Sequence, residues 1–576
     1  MFLLRLGTYK SIVLPGFFSS PPNAKMPGHL GHLQIPEVLR LISGYLDRRS
    51  ALAMSLTRRA FLEPGLDSLW HTLDSFEPLL ACLPTDLWRI EEKKFGNQHR
   101  YDYQHRTPPS VYYLNRALVP SDVDRYLTQY APRIRHIKGV IYDAKRIPSL
   151  ELLQALQEVT GSQPGALAPH IRSFEWIPRN FVETLNPFGL EYSNNIQPFM
   201  PLFVGANLTK LAFNMEPCLP LQALTLLSTA KQPNFLENLD LGSDTAKFAD
   251  DYLRASTWNH LKCLQITTLL PSTILYLANL PQLSMLSINS LKAKDWGISA
   301  TERRSCRPIE GFSCLTELCI DADTVSTITG FLQHFPTLNK LETLEAFARA
   351  RCSSEGEAQA AIDTITERLN SDSLMDLRIC DSIGNRDVPD YAPQEDSEYR
   401  PPIKIAPFYI FKRLKFINVV FSHWISITPD DIAQIRTVWT EVEFLEIHEN
   451  CPVDPSPLID HTHLLYLLSG CPSLVTLALR FDATRVSGEE TGGPYFKLTE
   501  LNVGCSTISS PASVWKFIEA NFPHLERLEA GSLGKDSEHL HNMNMARWKK
   551  VQDALDDRWD ATWRRRRLLV EGHQYK

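Results

Sequence analysis

One seven-residue pattern of apolar and polar positions recurs along most of the chain. The pattern is x-Leu-x-x-Leu-x-apolar. Its clear copies begin at Asn207, Phe235, His260, Gln282, Cys314, Lys340, Ser373, Arg413, Glu441, Ser473, Lys497 and His524. Looser copies begin at Arg133 and His170. The alternation predicts a short strand in each copy, with the leucines turned inward and the intervening positions turned outward.

The spacing of these heptads predicts a repeat protein. From Leu208 to Leu525, 317 residues hold eleven steps, about 29 residues per step, at the long end of the range for leucine-rich repeats. Repeats of this length pair each strand with a helix. Helical stretches are predicted between the heptads at 219–230, 272–278, 324–334, 358–370, 460–469 and 512–521. Proline follows several of them, as in Phe522-Pro523, and would end the helix before the next strand.

The predicted fold class is therefore α/β. A curved leucine-rich-repeat solenoid would run from residue 133 to 535, with strands on its concave face and helices on its convex face. The alternative is a set of unrelated, leucine-rich α/β elements. Two insertions interrupt the period, at 292–311 and at 381–407. The second is acidic and rich in proline, so we expect either a mobile loop that protease cuts first or a docking element.

The outward positions of the heptads carry side chains of both signs, so they indicate no substrate charge. They include Lys210, Asn238, Asp240, Lys262, Gln265, Glu317, Asp376, Arg378, Lys415, Asn418, Phe444, Glu446, Glu500 and Asn502. Most of them are expected to form a solvated face.

Ahead of the repeats, residues 35–73 predict three short helices. Pro36 and Glu37 suit the first turn of a helix, and Leu39, Ile42 and Leu46 follow at three- and four-residue spacing. Asp47 and Ser50 can cap a second helix led by Leu52 and Leu56, which Pro64-Gly65 would break. The third apolar face consists of Leu66, Leu69, Trp70 and Leu73.

This stretch resembles an F-box, and the whole chain is similar to fungal F-box proteins with C-terminal leucine-rich repeats. The matching residues are Pro36, Glu37, Leu39, Ile42, Tyr45, Leu46, Asp47, Leu52, Leu56, Arg58, Phe61, Leu69 and Trp70. Ile35 replaces the usual Leu, and Leu56-Thr57 replaces the usual Val-Cys. The resemblance implies that residues 29–75 bind a Skp adaptor. It assigns this contact to Ile35, Pro36, Glu37, Leu39, Ile42, Leu46, Leu52, Leu56 and Trp70. A plain helical cap on the next domain is the alternative.

Three further segments complete the predicted organisation. Residues 1–28 would be a disordered extension or follow an upstream start codon, and residues 76–132 a helical linker containing a helix capped by Ser121-Asp122. The tail, 536–576, predicts a helix whose stripe of Trp548, Val551, Leu555, Trp559 and Trp563 could pack on the last repeat. Arg564 to Arg567 would be a nuclear signal or simply a basic helix end.

The composition of the chain indicates which classes of partner and ligand to expect. With 576 residues and a net charge of -7, no basic domain dominates, so nucleic acid is not expected as a partner. The 11 cysteines form no C-x-x-C pair, which favours reduced thiols in the cytoplasm or nucleus. No segment predicts a membrane span. We expect no cofactor, because no phosphate-binding loop or Gly-rich nucleotide turn occurs in the sequence. We expect no metal, because His461 and His463 lie two apart on a predicted helix and would form a surface pair.

No nucleotide-binding or catalytic motif was found in the sequence, so an enzyme is not expected. The resemblance implies a non-catalytic substrate-recognition subunit of a Skp–cullin–F-box ubiquitin ligase. The F-box would bind the adaptor, and through it the cullin-RING partners, while the repeats would hold an unknown target protein. The alternative is an interaction scaffold that uses the F-box without ubiquitin transfer.

Overall fold

The computed structural model describes residues 35–92, 110–138, 146–175, 197–215, 235–243, 246–255, 257–293, 310–337, 339–349, 353–381, 402–449, 456–531 and 539–573. The chain forms two compact units. Unit 1 comprises Met1–Asp244 and Ala255–Leu261, and unit 2 comprises Thr245–Arg254 and Lys262–Lys576. The predicted N-terminal extension and the central parts of both predicted insertions lie outside the described residues.

The described part of unit 1 begins with three helices, α1 (Pro36–Gly44), α2 (Arg48–Thr57) and α3 (Arg59–His71). Pro36 opens α1, where its missing N–H costs nothing. Asp47 caps α2, because its carboxylate accepts the backbone N–H of Ser50 at 2.8 Å. Arg58, in an extended conformation with φ −151 and ψ 148, separates α2 from α3. We call α1 to α3 the helical module.

The predicted helix break at Pro64-Gly65 is wrong, because α3 continues through both residues. Gly65 instead allows α2 and α3 to approach closely. A Cβ at this position would lie 1.8 Å from Ser55 Oγ, so only glycine fits without displacing the neighbouring helix. The chain breaks nearly two turns earlier, at Arg58, where the backbone is extended.

The rest of unit 1 combines strands and short helices. Its elements are β1 (Thr72–Leu73), α4 (Glu77–Ala81), β2 (Trp88–Glu92), β3 (Ser110–Leu114), α5 (Pro120–Arg125), β4 (His136–Ile137), β5 (Arg146–Pro148), α6 (Leu150–Val159), β6 (Ser173–Glu175), β7 (Lys210–Met215) and β8 (Asn238–Ser243). Unit 1 also contains a short π-helix at Tyr126–Tyr130 and 3₁₀-helices at Ala131–Arg133 and Gln197–Leu202.

The segment 76–132 was predicted to be a helical linker, but it also contains strands. β2 and β3 pair in antiparallel fashion, and β5 pairs with β3 in parallel. The helix expected near Ser121-Asp122 is α5, and Asp122 accepts the N–H of Val119 at 3.0 Å. Val123 of α5 is buried, and so are Tyr126 and Tyr130 of the π-helical turn that follows it.

A parallel sheet in the order β1-β4-β6-β7-β8 forms the centre of unit 1. Its first strand is β1, so the sheet starts at Thr72 and not at residue 133. Leu73, predicted to lie on a helix, is a buried residue of this strand and aligns with Ile137 of β4.

Unit 2 alternates helices and parallel strands. Its helices are α7 (Ala246–Arg254), α8 (Pro271–Ala278), α9 (Val325–Leu332), α10 (Glu355–Arg368), α11 (Pro429–Val438), α12 (His461–Gly470), α13 (Pro511–Asn521) and α14 (His539–His573). Its main strands are β9 (Cys263–Ile266), β10 (Met285–Leu291), β11 (Glu317–Ala322), β12 (Thr343–Ala348), β13 (Asp376–Asp381), β14 (Phe416–Phe421), β15 (Phe444–Glu449), β16 (Thr476–Leu479), β18 (Glu500–Asn502) and β20 (Arg527–Glu529). A separate pair, β17 (Asp482–Ala483) and β19 (Thr507–Ile508), is also parallel.

Each heptad contains one strand, and each of these strands begins at the fourth residue of its heptad. Within unit 2 every main strand from β10 to β20 pairs in parallel with the one before it. The fifth heptad residues therefore align across the sheet, as Leu445, Leu477 and Leu501 do. Consecutive helices contact one another, α9 with α10 and α11 with α12. This stepwise arrangement is that of a repeat protein.

The last strand, β20, is followed by the long helix α14. Trp548, Val551 and Leu555 are buried, as their spacing predicts. The indole N–H of Trp559 donates to the carbonyl of Leu525 at 2.8 Å, and Gln552 donates to that of Leu528 at 2.8 Å. The helix thus satisfies carbonyls that the final repeat leaves without a following strand.

Candidate interaction surfaces

The helical module exposes apolar side chains that its own small core does not use. They are Ile35, Leu41, Ile42, Tyr45 and Leu56, with Leu41 63% and Tyr45 85% exposed. All but Leu56 lie in or beside α1, where a period of 3.6 residues places them within one face. We call these five residues the apolar patch. Exposed apolar surface concentrated on one small element is characteristic of a protein-binding site.

The structure divides the predicted adaptor-binding residues. Ile35, Pro36, Glu37, Ile42 and Leu56 are exposed, and Leu46 and Leu52 are half-buried. Leu39 is only 3% exposed and Trp70 stacks on Tyr130, with ring centroids 4.4 Å apart. Leu39 therefore belongs to the core of the helical module, and the half-buried Trp70 packs on the segment that follows it.

Two residues of the apolar patch, Leu41 and Tyr45, were not among the predicted site residues. Their helical spacing from Ile42 could have indicated them, since they share its face of α1. The module is held to the segment that follows by Arg133, which forms ion pairs with both Asp67 and Glu63 on α3.

The second surface is the outward face of the unit 2 sheet. Its centre is Arg378 on β13, whose guanidinium pairs with Glu345 at 3.1 Å and with Asp376 at 3.0 Å. The same guanidinium lies 4.0 Å from the ring centre of Phe416. Phe416 in turn stacks on Phe444, with centroids 3.9 Å apart. These contacts join four neighbouring strands, β12 to β15.

Polar side chains continue the cluster along β14 and β15. Asn418 donates to Glu446 at 2.8 Å, and the other carboxylate oxygen of Glu446 lies 2.8 Å from His448 Nε2. The Oδ1 atom of Asn418 is buried without a hydrogen-bond partner. The Oδ1 atom of Asp321 on β11 is also buried without a hydrogen-bond partner, whereas its Oδ2 atom pairs with Arg349 at 2.6 Å. Burial raises the pKa of Asp321, against the opposing effect of Arg349.

Most predicted outward residues do lie at the fourth and sixth heptad positions, on the less buried side of their strands. Lys262 and Lys415 instead precede β9 and β14 by one residue. The expectation of a mainly solvated face fails at Arg378, Asn418, Phe444 and Glu446, which pack together. Phe416 and Glu345 were missed, because only the strand register brings them beside Arg378.

The two histidines of α12 do not form a surface pair. His461 is 5% exposed, and its Nε2 atom lies 3.5 Å from Glu490, whereas His463 contacts the N-cap residue Asp460 at 2.7 Å. The prediction failed for His461 because tertiary packing against Phe517 of α13 covers it.

The described residues offer little for metal or thiol chemistry. They contain no group of three or more His, Cys, Asp or Glu side chains that could hold a metal ion. Burial raises the pKa of the Cys82, Cys319 and Cys380 thiols to about 12, so these thiols stay protonated at neutral pH. Among the described helices, none has the length and apolar character needed to cross a membrane.

No family model and no curated protein matches the sequence. Among solved structures, the chain is similar to an internalin from Listeria monocytogenes, at 12% identity and a TM-score of 0.30, over 59% of this chain and 83% of that one. It is also similar to the complex of Rad7 and Elc1 from yeast, at 12% identity and a TM-score of 0.24, over 88% and 92% of the two chains. Because these identities and scores are low, the likenesses add nothing to what the strands and register show. On that evidence, the chain is a mixed α/β repeat protein with large parallel sheets, consistent with leucine-rich repeats.

Proposed function

We propose that this chain is the substrate-recognition subunit of a Skp–cullin–F-box ubiquitin ligase. The helical module would act as an F-box that binds the Skp adaptor, and the repeats would bind a target protein. The chain itself would be non-catalytic and would act by positioning the target, while the partner proteins carry out ubiquitin transfer. Its place of action would be the cytoplasm or the nucleus.

The observation that carries the proposal is the apolar patch. A three-helix module of this size buries little surface of its own, yet it exposes Leu41, Tyr45 and Leu56 to solvent. Covering such side chains by a partner would remove apolar area from water at roughly 25 cal/mol per Å². The order of residues that resembles an F-box coincides with this module.

Adaptor binding can be tested with Leu41→Asp combined with Leu56→Asp in the full chain. Both side chains are exposed, so the fold should persist while a Skp adaptor is no longer captured. Leu275→Asp is the matched control, because Leu275 is an exposed leucine on a helix of unit 2. Capture of the adaptor by the double variant at the level of the natural chain would contradict the proposal.

The second candidate is a scaffold that uses the adaptor without ubiquitin transfer. The two functions differ in the fate of the bound target. If the ligase function is correct, the proteins captured by the natural chain should accumulate when the Leu41→Asp and Leu56→Asp variant replaces it in cells. Unchanged target lifetimes, with adaptor binding lost, would favour the scaffold.

A further inference from the structure

The stacked rings of Phe416 and Phe444 on the unit 2 sheet have different surroundings on their two sides. The rings are nearly parallel, at 6° with centroids 3.9 Å apart, so each ring covers one face of the other. The guanidinium of Arg378 lies 4.0 Å from the ring centre of Phe416. Because Phe444 already covers one face of Phe416, Arg378 occupies the opposite face. Across the strands, the order is therefore a cation, two rings and the outer face of Phe444.

Two carboxylates complete the arrangement on the Arg378 side. The guanidinium pairs with Glu345 at 3.1 Å and with Asp376 at 3.0 Å while it lies over the Phe416 ring. The negative face of an aromatic ring and two carboxylates all favour a positive charge at this point. This side of the stacked pair shows how the outward surface of the sheet accommodates an arginine side chain.

The outer face of Phe444 has similar surroundings but contains no stacked cation among the described residues. It faces β16, where Thr476 is aligned with Phe444 and the buried Ala478 follows, and both side chains are small. Glu500 of β18 is aligned with Thr476 on the far side, and Glu446 follows Phe444 on β15. β15 and β18 are two strand spacings apart, about 9.6 Å, which leaves room for a planar group stacked on the ring. We call these five residues the Phe444 slot.

The two carboxylates of the Phe444 slot have no arginine or lysine partner within the part of the chain that the structure describes. Glu446 contacts the imidazole of His448 at 2.8 Å, and Glu500 accepts a hydroxyl of the slot at 3.4 Å. Arg480, just beyond the end of β16, forms an ion pair with neither carboxylate. Arg527 of β20 pairs with a carboxylate on its own strand. The slot therefore offers negative charge beside an aromatic face, without a cation between them.

We propose that the Phe444 slot binds the side chain of an arginine in the target protein. The inference rests on the proposed function, because it specifies the chemistry of the target that the repeats would hold. A guanidinium stacked on Phe444 and paired with Glu446 and Glu500 would have the same contacts that Arg378 has within the chain. A lysine fits less well, because its ammonium group is not planar and cannot form a bidentate pair. The carboxylates would repel a phosphate group, which disfavours nucleic acid at the slot.

The first test measures binding of fluorescent peptides to the full chain. The peptides form a degenerate pool of uncharged residues around one fixed arginine. Replacement of the arginine by citrulline, which keeps the shape but removes the charge, should weaken binding by at least about fivefold, because charge-assisted hydrogen bonds are lost. Replacement by lysine should weaken binding by about threefold.

Variants of the chain locate the binding site. Phe444→Leu and Glu500→Gln should each weaken binding of the arginine pool by roughly three- to tenfold. Glu317→Gln is the matched control and should have no effect. Glu317 is an exposed carboxylate at the same heptad position of β11, but its strand neighbours are Met285 and Thr343 and not an aromatic ring. A thermal melt would verify that each variant is folded.

The second test uses a single amino acid. In the full chain labelled at the phenylalanine rings, N-acetyl-arginine amide should shift the NMR signals of Phe444 more than those of Phe416, because only Phe444 presents an outer face to the slot. Phe444→Leu identifies the signals, and N-acetyl-citrulline amide should leave them in place. Equal binding of the arginine and citrulline pools would overturn the inference, as would Phe444 signals that do not respond to the arginine probe.

Failure of this inference can be distinguished from failure of the proposed function. Glu500→Gln should capture a Skp adaptor as the natural chain does, and the Leu41→Asp and Leu56→Asp variant should bind the arginine pool normally. Adaptor capture without arginine binding would overturn the Phe444 slot alone. Arginine binding without adaptor capture by the natural chain would overturn the ligase function and support the slot as a binding site.

Discussion

Substitution of Trp548 should separate the contribution of the C-terminal helix from that of the repeats. Trp548 is 1% exposed on α14, and its indole N–H donates to the carbonyl of Ser506 at 2.8 Å. The hydroxyl of Ser506 accepts the N–H of Phe481 at 2.9 Å and donates to the carbonyl of Val503 at 2.6 Å. One ring thus holds a buried turn that joins the last repeats.

Two variants separate the contribution of the buried Trp548 ring from that of its hydrogen bond to Ser506. Trp548→Ala removes the buried ring and should lower the free energy of unfolding of the terminal repeats by about 3–5 kcal/mol. Trp548→Phe keeps most of the apolar volume but leaves the Ser506 carbonyl without its donor, which should cost about 1–3 kcal/mol. Trp559→Phe is the control, because the Trp559 ring makes an equivalent bond to Leu525 but is only half-buried.

Amide hydrogen exchange with urea unfolding would measure both effects. Because repeats are stabilised by their neighbours, exchange should accelerate in β18, β19, β20 and α14 and stay unchanged in β10 to β12. A uniform acceleration across unit 2, or equal stability of Trp548→Ala and the natural chain, would refute the capping role of α14.

Three further predictions follow from buried or capped positions. Leu477→Ala should destabilise unit 2 by about 2–5 kcal/mol in urea unfolding, whereas Leu275→Ala, at an exposed position, should change stability by less than about 0.5 kcal/mol. Gly65→Ala should destabilise the helical module by about 1–3 kcal/mol, and Ser55→Gly should restore part of the loss, which circular dichroism during a melt would show. Although burial opposes it, hydrogen bonding from the first turn of α12 lowers the pKa of Asp460 to about 2. The stabilisation by this cap is therefore complete above about pH 4 and lost as the pH falls toward 2, a dependence that Asp460→Ala should remove in acid unfolding.

The strands could be predicted because their signal is local. Each heptad contains its own alternation of apolar and polar residues. Equivalent positions of successive heptads are paired in the sheet, as in the copies that begin at Cys314 and Lys340. Helix α11 was missed although its signal is also local. Thr428 and Asp431 form a capping box around Pro429, and this pattern marks a helix start.

Other features could not be predicted because they depend on residues far apart in sequence. The pairing of β2 with β3 joins Glu91 to Val111, with nothing in either segment to specify the other. The stack of Phe416 on Phe444 needs the register of β14 with β15. In α1, the resemblance assigned Leu39 to the adaptor contact although its side chain is buried, because a matching pattern does not separate packing from contact.

The direct passage from α3 to β1 has a mechanical consequence. α3 ends at His71 and β1 begins at Thr72, so no residue is available to act as a hinge between the helical module and the sheet of unit 1. Any swivel of the module would break the pairing of Thr72 with His136. A protein docked on the apolar patch would consequently fix the direction in which the first repeats point. The distance from that docked protein to anything bound on the first repeats would then be fixed by the rigid connection, and little orientational entropy would be lost when both are bound.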